Sequence, residues 1–405
     1  MDTPSLQNSL LEVLHTYTLC DACLGRQFKN QYRGKTNAEK GIELRKMIHY
    51  TKTTSPENCW LCHGLILEIP HFVGLVQDAL QDYEYTTFLI GTKIDEDIQR
   101  REEEIFNTFP FVDQEPIKME LNREIGKKLE LKLNKIVDFK DPDITVILDT
   151  VFYSISLQIT SIYFYGRYKK FERGIPQTRW PCRVCQGIGC RRCQYTGKMY
   201  QTSVEELISA PILQKTQGTD TAFHGSGRED IDALMLGTGR PFILEIKNPK
   251  IRTLSLSILE QEINSANKNR LEISDLRYSD KQEIIRLKDA EFQKTYQIVI
   301  QGAQPFSKEK LIKVTGLLQG TTIKQFTPTR VAHRRAHKVR EKKIYTCSVD
   351  SVEGVIARLT ITAESGTYIK ELVSGDNGQT QPNISDLLGI PCIVKELNVV
   401  EVKGE

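Results

Sequence analysis

Eight of the ten cysteines in this chain fall into four Cys-x2-Cys pairs, a pattern that commits parts of the backbone to small metal-centred knuckles. In Cys182-x2-Cys185-x4-Cys190-x2-Cys193, each pair aims two thiolates at one point, and Gly187 and Gly189 let the backbone fold back between them. Four thiolates in a tetrahedron make a closed structural zinc site. Cys20, Cys23, Cys59 and Cys62 form a second candidate set with a longer gap. His63 follows that set, but four thiols already suffice. Neither set leaves an open position, so both ions are expected to be structural; the alternative is a pair of reduced thiol loops. Cys347 and Cys392 sit in apolar, strand-like stretches and are expected in the core.

The first 20 residues carry Asp and Glu and lack a basic stretch, and no run of about 18 apolar residues could span a bilayer. The expected compartment is therefore the cytoplasm, where paired cysteines favour metal over disulfide. At 405 residues the chain is too long for one ordinary core, so two to four compact units are expected.

Periodicity predicts a helix over 3–16, with Leu6, Leu10, Leu11 and Leu14 on one face, and a helical run around 37–50. Next come a strand over 86–94, an acidic helix over 95–107 and an amphipathic helix over 117–138. Strands are expected over 143–149 and 155–165, the second ending in the basic-aromatic tail Gly166-Arg167-Tyr168-Lys169-Lys170. Residues 171–200, rich in Gly, Pro and Cys, read as a connector. After Ser203, strands (240–246, 295–302, 344–350, 354–363, 394–402) interleave irregularly with helices (256–268, 280–290, 307–318, 368–374). That pattern predicts an α+β fold with a mixed or antiparallel sheet, not a doubly wound parallel one.

The formal net charge of +3 is too small to demand a polyanionic partner. Its distribution says more. Residues 330–343 hold nine Arg, Lys or His against one Glu, which reads either as a solvated basic face or as a strip that contacts phosphates.

The densest block of unusual residues is 224–249, HGSGREDIDALMLGTGRPFILEIKNP. Glycines mark tight turns, and between them Arg228-Glu229-Asp230-Ile231-Asp232 sets three acids beside one arginine. Alternation predicts Asp230 and Asp232 on one side, with Ile231 and Ala233 opposed. Such an aspartate could be a simple turn residue, one of a pair binding Mg²⁺, or a catalytic carboxylate. A phosphate loop is disfavoured, because the GK[ST] ending is absent and acids stand where phosphate would bind.

The segments SGREDIDALMLGTGRPFILEIKNP, KTYQIVIQ, FTPTRVAHRRA and GTYIKELVSGDNGQTQPNISDLLG resemble successive signatures of one family, the THUMP-containing tRNA pseudouridine synthases of archaea and eukaryotes. The resemblance is dense from about 176 to 395. It includes RWPCRVCQGIGCRRCQYTGKMYQTSVEELI in the connector, and is looser at CDACLGRQF and at the strands ending in GRYKK. It implies isomerisation of uridine 54, uridine 55 or both in the tRNA T-arm. Asp230 matches the family's catalytic aspartate, and Tyr296 and Tyr368 its uridine-pocket tyrosines, although Tyr368 reads equally as a core aromatic. Arg228 resembles the arginine that precedes the nucleophile and helps hold an extruded nucleotide. Lys370 stands where related synthases place a basic residue facing the aspartate. Ser374 and Gln379 depart from the pattern, which usually has histidine and arginine there. On this reading residues 1–83 are a zinc-binding region, 84–170 a THUMP-like RNA-binding module, 171–202 a zinc-knuckle connector and 203–405 the catalytic domain.

The chemistry suits those residue types. Isomerising uridine breaks the N1–C1′ bond, turns the uracil and rebonds it through C5, and a carboxylate can act as nucleophile or stabilise the separated sugar. A neighbouring cation, Lys370, would favour its charged form. Extruding the base costs a few kcal/mol. Stacking on Tyr296 returns about 1–3 kcal/mol of that, and the Tyr296 hydroxyl is a candidate to move the C5 proton. Arg330, Arg334 and Arg335 are expected on the tRNA backbone, together with the tail 163–173. No organic or nucleotide cofactor and no membrane partner are expected, and the chain is expected to be monomeric. Two other readings stay open: a zinc-containing tRNA-binding protein without catalysis, and a nuclease using Asp230, Asp232 and Glu245 with Mg²⁺.

Overall fold

The computed structural model describes residues 3–110, 114–334 and 336–403. The chain divides into two compact units, Met1–Thr160 with Lys250–Arg252, and Ser161–Pro249 with Thr253–Glu405, each built on its own apolar core.

In the first unit, α1 (Thr3–Thr16) buries Leu6, Leu10, Val13 and Leu14, with Val13 rather than Leu11 completing the stripe. Two helices follow, α2 (Asp21–Gln27) and α3 (Asn37–Met47), then α4 (Ile69–Leu80), whose Phe72, Val73 and Val76 are buried. Past α4 the chain builds a four-stranded sheet from β1 (Thr87–Lys93), β2 (Ile136–Val137), β3 (Ile144–Asp149) and β4 (Ser154–Ile159), in the order β2-β1-β3-β4. Between β1 and β2 run α5 (Glu96–Thr108) and α6 (Ile117–Leu133). The helix expected to reach 138 stops at Leu133 because Asn134 turns left-handed at φ 53°, and Ile136 then starts β2 instead of a further helical turn.

The second unit is organised by a ten-stranded, largely antiparallel sheet. Its strands are β5 (Ile162–Lys170), β6 (Asp220–Gly225), β7 (Leu234–Lys247), β8 (Leu271–Ser279), β9 (Lys294–Gly302), β10 (Thr322–Gln325), β11 (Arg340–Glu353), β12 (Ile356–Ala363), β13 (Thr380–Gln381) and β14 (Cys392–Val402). Their order is β13-β10-β11-β12-β9-β14-β7-β5-β8, with β6 also paired to β7. Helices α7 (Val204–Thr216), α8 (Leu256–Ala266), α9 (Lys281–Asp289), α10 (Lys308–Leu318), α11 (Ile369–Ser374) and α12 (Ile384–Leu388) complete the mixed α+β unit. Cys347 and Cys392 are core residues, 4% and 2% exposed.

The strand expected over 155–165 is two strands belonging to different sheets. β4 pairs with β3, the chain breaks at Thr160 and Ser161, and β5 pairs antiparallel with both β7 and β8. The tail expected to grip RNA is therefore largely core: Phe164 and Tyr168 are fully buried, Lys170 is 1% exposed, and Arg167 donates to the carbonyls of Thr238, Gly239 and Val402. A strand flanked on both sides must satisfy its polar groups internally, and these basic and aromatic side chains do so.

One junction sets up the functional cleft. β7 and β14 run parallel and pair over only two positions, Leu234 with Asn398 and Met235 with Val399. At Gly237 a Cβ would fall 1.8 Å from the Val400 carbonyl oxygen, so glycine is what lets β7 come this close. Val399 also pairs with Tyr296 of β9. The turn 226–233 that feeds β7 is thereby delivered beside Tyr296.

No helix among the described residues is long and apolar enough to cross a membrane. Because β5 is the strand between β7 and β8, a chain beginning at Ser161 should melt cooperatively, whereas one beginning at Phe171 should show no cooperative transition by far-UV circular dichroism.

Candidate active site

The turn between β6 and β7 is held from below by a buried ion network. Glu229 is sealed from solvent; its carboxylate meets Arg240 Nε at 2.8 Å and Lys170 Nζ at 3.8 Å, and accepts from the Tyr168 hydroxyl at 2.8 and 2.9 Å. Burial alone would raise the Glu229 pKa, but Arg240 and Lys170 outweigh it and hold the group below its usual value. Gln177 donates to both Tyr168 Oη and the Gly227 carbonyl, each at 3.0 Å, and Lys170 Nζ donates to the Ile231 carbonyl at 3.3 Å. Arg173 Nη1 donates to the Asp232 carbonyl at 2.6 Å. Residues read from sequence as a connector thus buttress the turn.

Gly227 has φ 72°, and a Cβ there would lie 2.8 Å from Lys294 Nζ and 3.5 Å from Arg240 Nη1. Glycine supplies both the left-handed conformation and the room for two cations.

With Glu229 pinned inward, its neighbour Asp230 faces a cleft of about 580 Å³. Tyr296, Tyr368, Arg228, Arg330 and Lys294 line that cleft with it. Asp230 Oδ1 accepts from Arg330 Nη1 at 2.8 Å, and Oδ2 lies 3.6 Å from Lys370 Nζ. Lys370 bonds more closely to Asp232, at 2.7 and 2.8 Å, so it bridges the two aspartates. Burial works against the charge on Asp232, yet Lys370 holds its pKa below the usual value. The two aspartates do face a common side, but through a turn closed by the Ala233 N–H on the Asp230 carbonyl (3.0 Å), not through strand alternation.

The other wall comes from α11. Tyr368 caps its N-terminus and is fixed through its backbone, whose N–H and carbonyl both bond to the Gln325 side chain at 2.9 Å. It is half-buried in the cleft wall and not a core aromatic. Two residues on, Lys370 reaches the aspartates while the buried Glu371 grips Arg330 at 2.6 and 3.2 Å. Arg330, expected on the tRNA backbone, bonds to Glu371 and Asp230, since a buried carboxylate demands a cation within reach. The side chain of Arg334 and the whole of Arg335 lie outside the described residues.

Arg228 is exposed at the rim, with its guanidinium 4.8 Å from the ring centre of Trp180. Trp180 in turn meets Tyr200 edge-on at 5.5 Å, so the zinc-knuckle segment packs on Arg228 at the rim. Tyr296 is 7% exposed, and burial together with the charge of Asp230 pushes its hydroxyl up to about 12 despite Arg240. Glu245 lies elsewhere, 3.4 Å from His224 Nε2, and does not join Asp230 and Asp232. Among the described residues, the sets of three or more ligating groups close enough to share a metal ion are the two cysteine sets.

Residues 163–403 match the sequence profile described as "Pus10, C-terminal", and residues 72–149 match "Pus10 THUMP domain, archaeal". The chain belongs to the Pus10 family. It is 39% identical over 98% of its length to the tRNA pseudouridine synthase Pus10 of Methanothrix thermoacetophila, covering 95% of that protein. Against the synthase of the same name from Methanothermobacter marburgensis it is 40% identical, over 99% of both chains. The resemblance drawn from the motifs is confirmed, and with it an isomerase with a THUMP domain.

Both cysteine sets of this family member fit a zinc ion. A Zn–S bond of about 2.3 Å implies sulfur pairs about 3.8 Å apart in a tetrahedron. Cys20 and Cys62 are 3.8 Å apart, Cys182 and Cys190 3.9 Å, and Cys185 and Cys193 3.8 Å. Backbone amides of Gly189, Cys190 and Gly197 donate to the sulfurs of the second set, as expected around thiolate charge. In the first set, buried Arg26 donates to Cys23 Sγ at 3.1 Å. When bound, such an ion crosslinks its loop and leaves no position for substrate.

The sequence reading missed Lys294, Arg240 and Glu371, and it took Tyr168 and Lys170, which face Glu229, for part of an RNA-contacting tail. The signal for Lys294 was available: it sits two residues before Tyr296, so in a strand both side chains share one face. The buried network gives a direct test. Glu229→Gln leaves Arg240 and Lys170 uncompensated and should cost about 3–5 kcal/mol in urea denaturation; a change below about 1 kcal/mol would contradict the role assigned to Glu229.

Proposed function

We propose that this tRNA pseudouridine synthase acts on the T-arm, at uridine 54, uridine 55 or both, with Asp230 as its nucleophile. The observation that carries the reading is the placement of Asp230: each carboxylate oxygen faces a cation, Arg330 or Lys370, at the edge of a cleft that also presents Tyr296 and Tyr368.

The target base leaves its stack and enters this cleft, where Tyr296 and Tyr368 offer aromatic surface. Arg228, stacked on Trp180 at the rim, is placed to fill the gap the base leaves or to hold its phosphate. The N1–C1′ bond breaks, and Asp230 serves the step either by bonding to carbon or by stabilising the separated sugar. The uracil turns, C5 bonds to C1′, and the proton lost from C5 is balanced by one gained at N1. Arg330 is itself fixed by Glu371, so Asp230 is oriented before substrate arrives rather than at its expense. Lys370, shared with Asp232, supplies the second cation. Zinc in the cysteine sets supports the architecture and takes no part in these steps. The basic run, Arg334 and Arg335 included, is assigned to tRNA phosphates.

The test is to treat an unmodified tRNA transcript with purified protein in the presence of EDTA and to map pseudouridines along the whole molecule. Conversion confined to positions 54 and 55, with the strand intact, is expected. Conversion only in another arm would overturn the T-arm assignment, and strand scission without pseudouridine would overturn the isomerase reading itself.

A further inference from the structure

Lys294 is the most unusual charged residue in the cleft. It opens β9 and points to the same side as Tyr296, and both line the cleft beside the Asp230 turn. Although 5% exposed, its amine makes one hydrogen bond among the described residues, to Ser365 Oγ at 3.5 Å, and no carboxylate comes within ion-pair distance. Lysine at this depth is normally paired. An amine left this poorly satisfied, against Gly227 and beside the nucleophile's turn, is poised for a partner that arrives with substrate.

We propose that Lys294 is the group that removes the C5 proton of the target uridine once C5 has bonded to C1′. The amine lone pair takes that proton, the C–H electrons restore the uracil double bond, and Nζ becomes an ammonium. The N1 position, which gave up the sugar, gains a proton, so the isomerisation balances without any co-reactant. Lys294 returns its proton to solvent or to N1. The proposal rests on the uridine-isomerising reading of the cleft.

The surroundings suit a base. The charged groups around Lys294 come from each packed element: Arg240 on β7 and Lys342 on β11 repel its proton, and Glu229 in the turn attracts it; in the segment after β12, Glu364 is paired with Lys342 at 2.7 Å and Ser365 offers its hydroxyl, while Asp230, Arg330 and Arg340 line the same cleft. Glu229 is already spent on Arg240, at 2.8 Å. Burial, reinforced by Arg240 and Lys342, brings the Lys294 pKa down to about 7. Tyr296, the other candidate on this face, is moved the opposite way, to about 12, and almost none of it would be ionised at neutral pH. Proton transfer is most effective when the pKa of the base lies near the working pH, which favours the lysine. Tyr296 is then left to hold the base through its ring.

Single-turnover conversion of unmodified tRNA by wild type, Lys294→Met and Lys294→Arg between about pH 6 and 9 tests this, with target uridines carrying hydrogen or deuterium at C5. Wild type should gain rate with pH through a midpoint near 7. Both variants should lose about 100-fold or more in rate, bind tRNA within about threefold of wild type, lose the rising limb and show a larger deuterium effect. Arginine keeps the positive charge but cannot give it up, so recovery of activity in Lys294→Arg would overturn the proposal. So would a wild-type profile with no rising limb, a measurement that does not depend on either variant folding. Absence of pseudouridine from the wild-type reaction would instead defeat the functional reading on which the proposal stands.

Discussion

The Glu229 carboxylate is the interaction on which the cleft depends. It is buried among Arg240, Lys170 and the Tyr168 hydroxyl, and its backbone neighbour is Asp230. A buried anion is tolerated only when its partners are fixed around it. These partners come from β7 and β5, two strands whose places in the sheet are set by the core. The network therefore converts the rigidity of the sheet into the position of a turn, and with Glu229 turned inward Asp230 faces the cleft.

Above that anchor the charges form a second, shallower chain. Glu371 fixes Arg330, Arg330 meets Asp230, and Lys370 ties Asp230 to Asp232. Three carboxylates and two cations satisfy one another around Asp230, and Lys294 stands outside this exchange. That division assigns the cleft two kinds of group: charges whose positions are fixed before substrate binds, and one amine with capacity to spare.

Much of the catalytic half was legible because its apolar periodicity is strong. Strands β9, β12 and β14 and helices α8 to α11 fall within a few residues of where alternation and helical spacing put them. β8 was missed because its polar sequence LEISDLRYS is buried on one side over only part of its length and is distorted at Asp275, with φ 58°. The break between β4 and β5 was missed because both flanks are apolar strand-like sequence; the change of phase between Ile159 and Ile162, three residues apart, is the one local sign of the boundary. The four-cysteine sets were legible because their spacing encodes their geometry. Asp230, Tyr296 and Tyr368 were singled out by resemblance, and they share one cleft; local spacing alone left Asp230 among several acids. The partners of Arg330 and the inward role of the Tyr168 and Lys170 tail were not legible, since each depends on a contact between residues far apart in sequence. A basic side chain reads as a surface charge until its buried acid is located.

The central claim is that Asp230, and not its neighbours, carries the bond exchange. Pseudouridine formation by Asp230→Asn on unmodified tRNA, measured beside tRNA affinity, tests it most directly. The substitution keeps the size of the side chain and removes its charge. The account predicts no detectable pseudouridine with affinity within a few-fold of wild type; turnover retained in the variant, or a loss matched in full by Asp232→Asn, would contradict it.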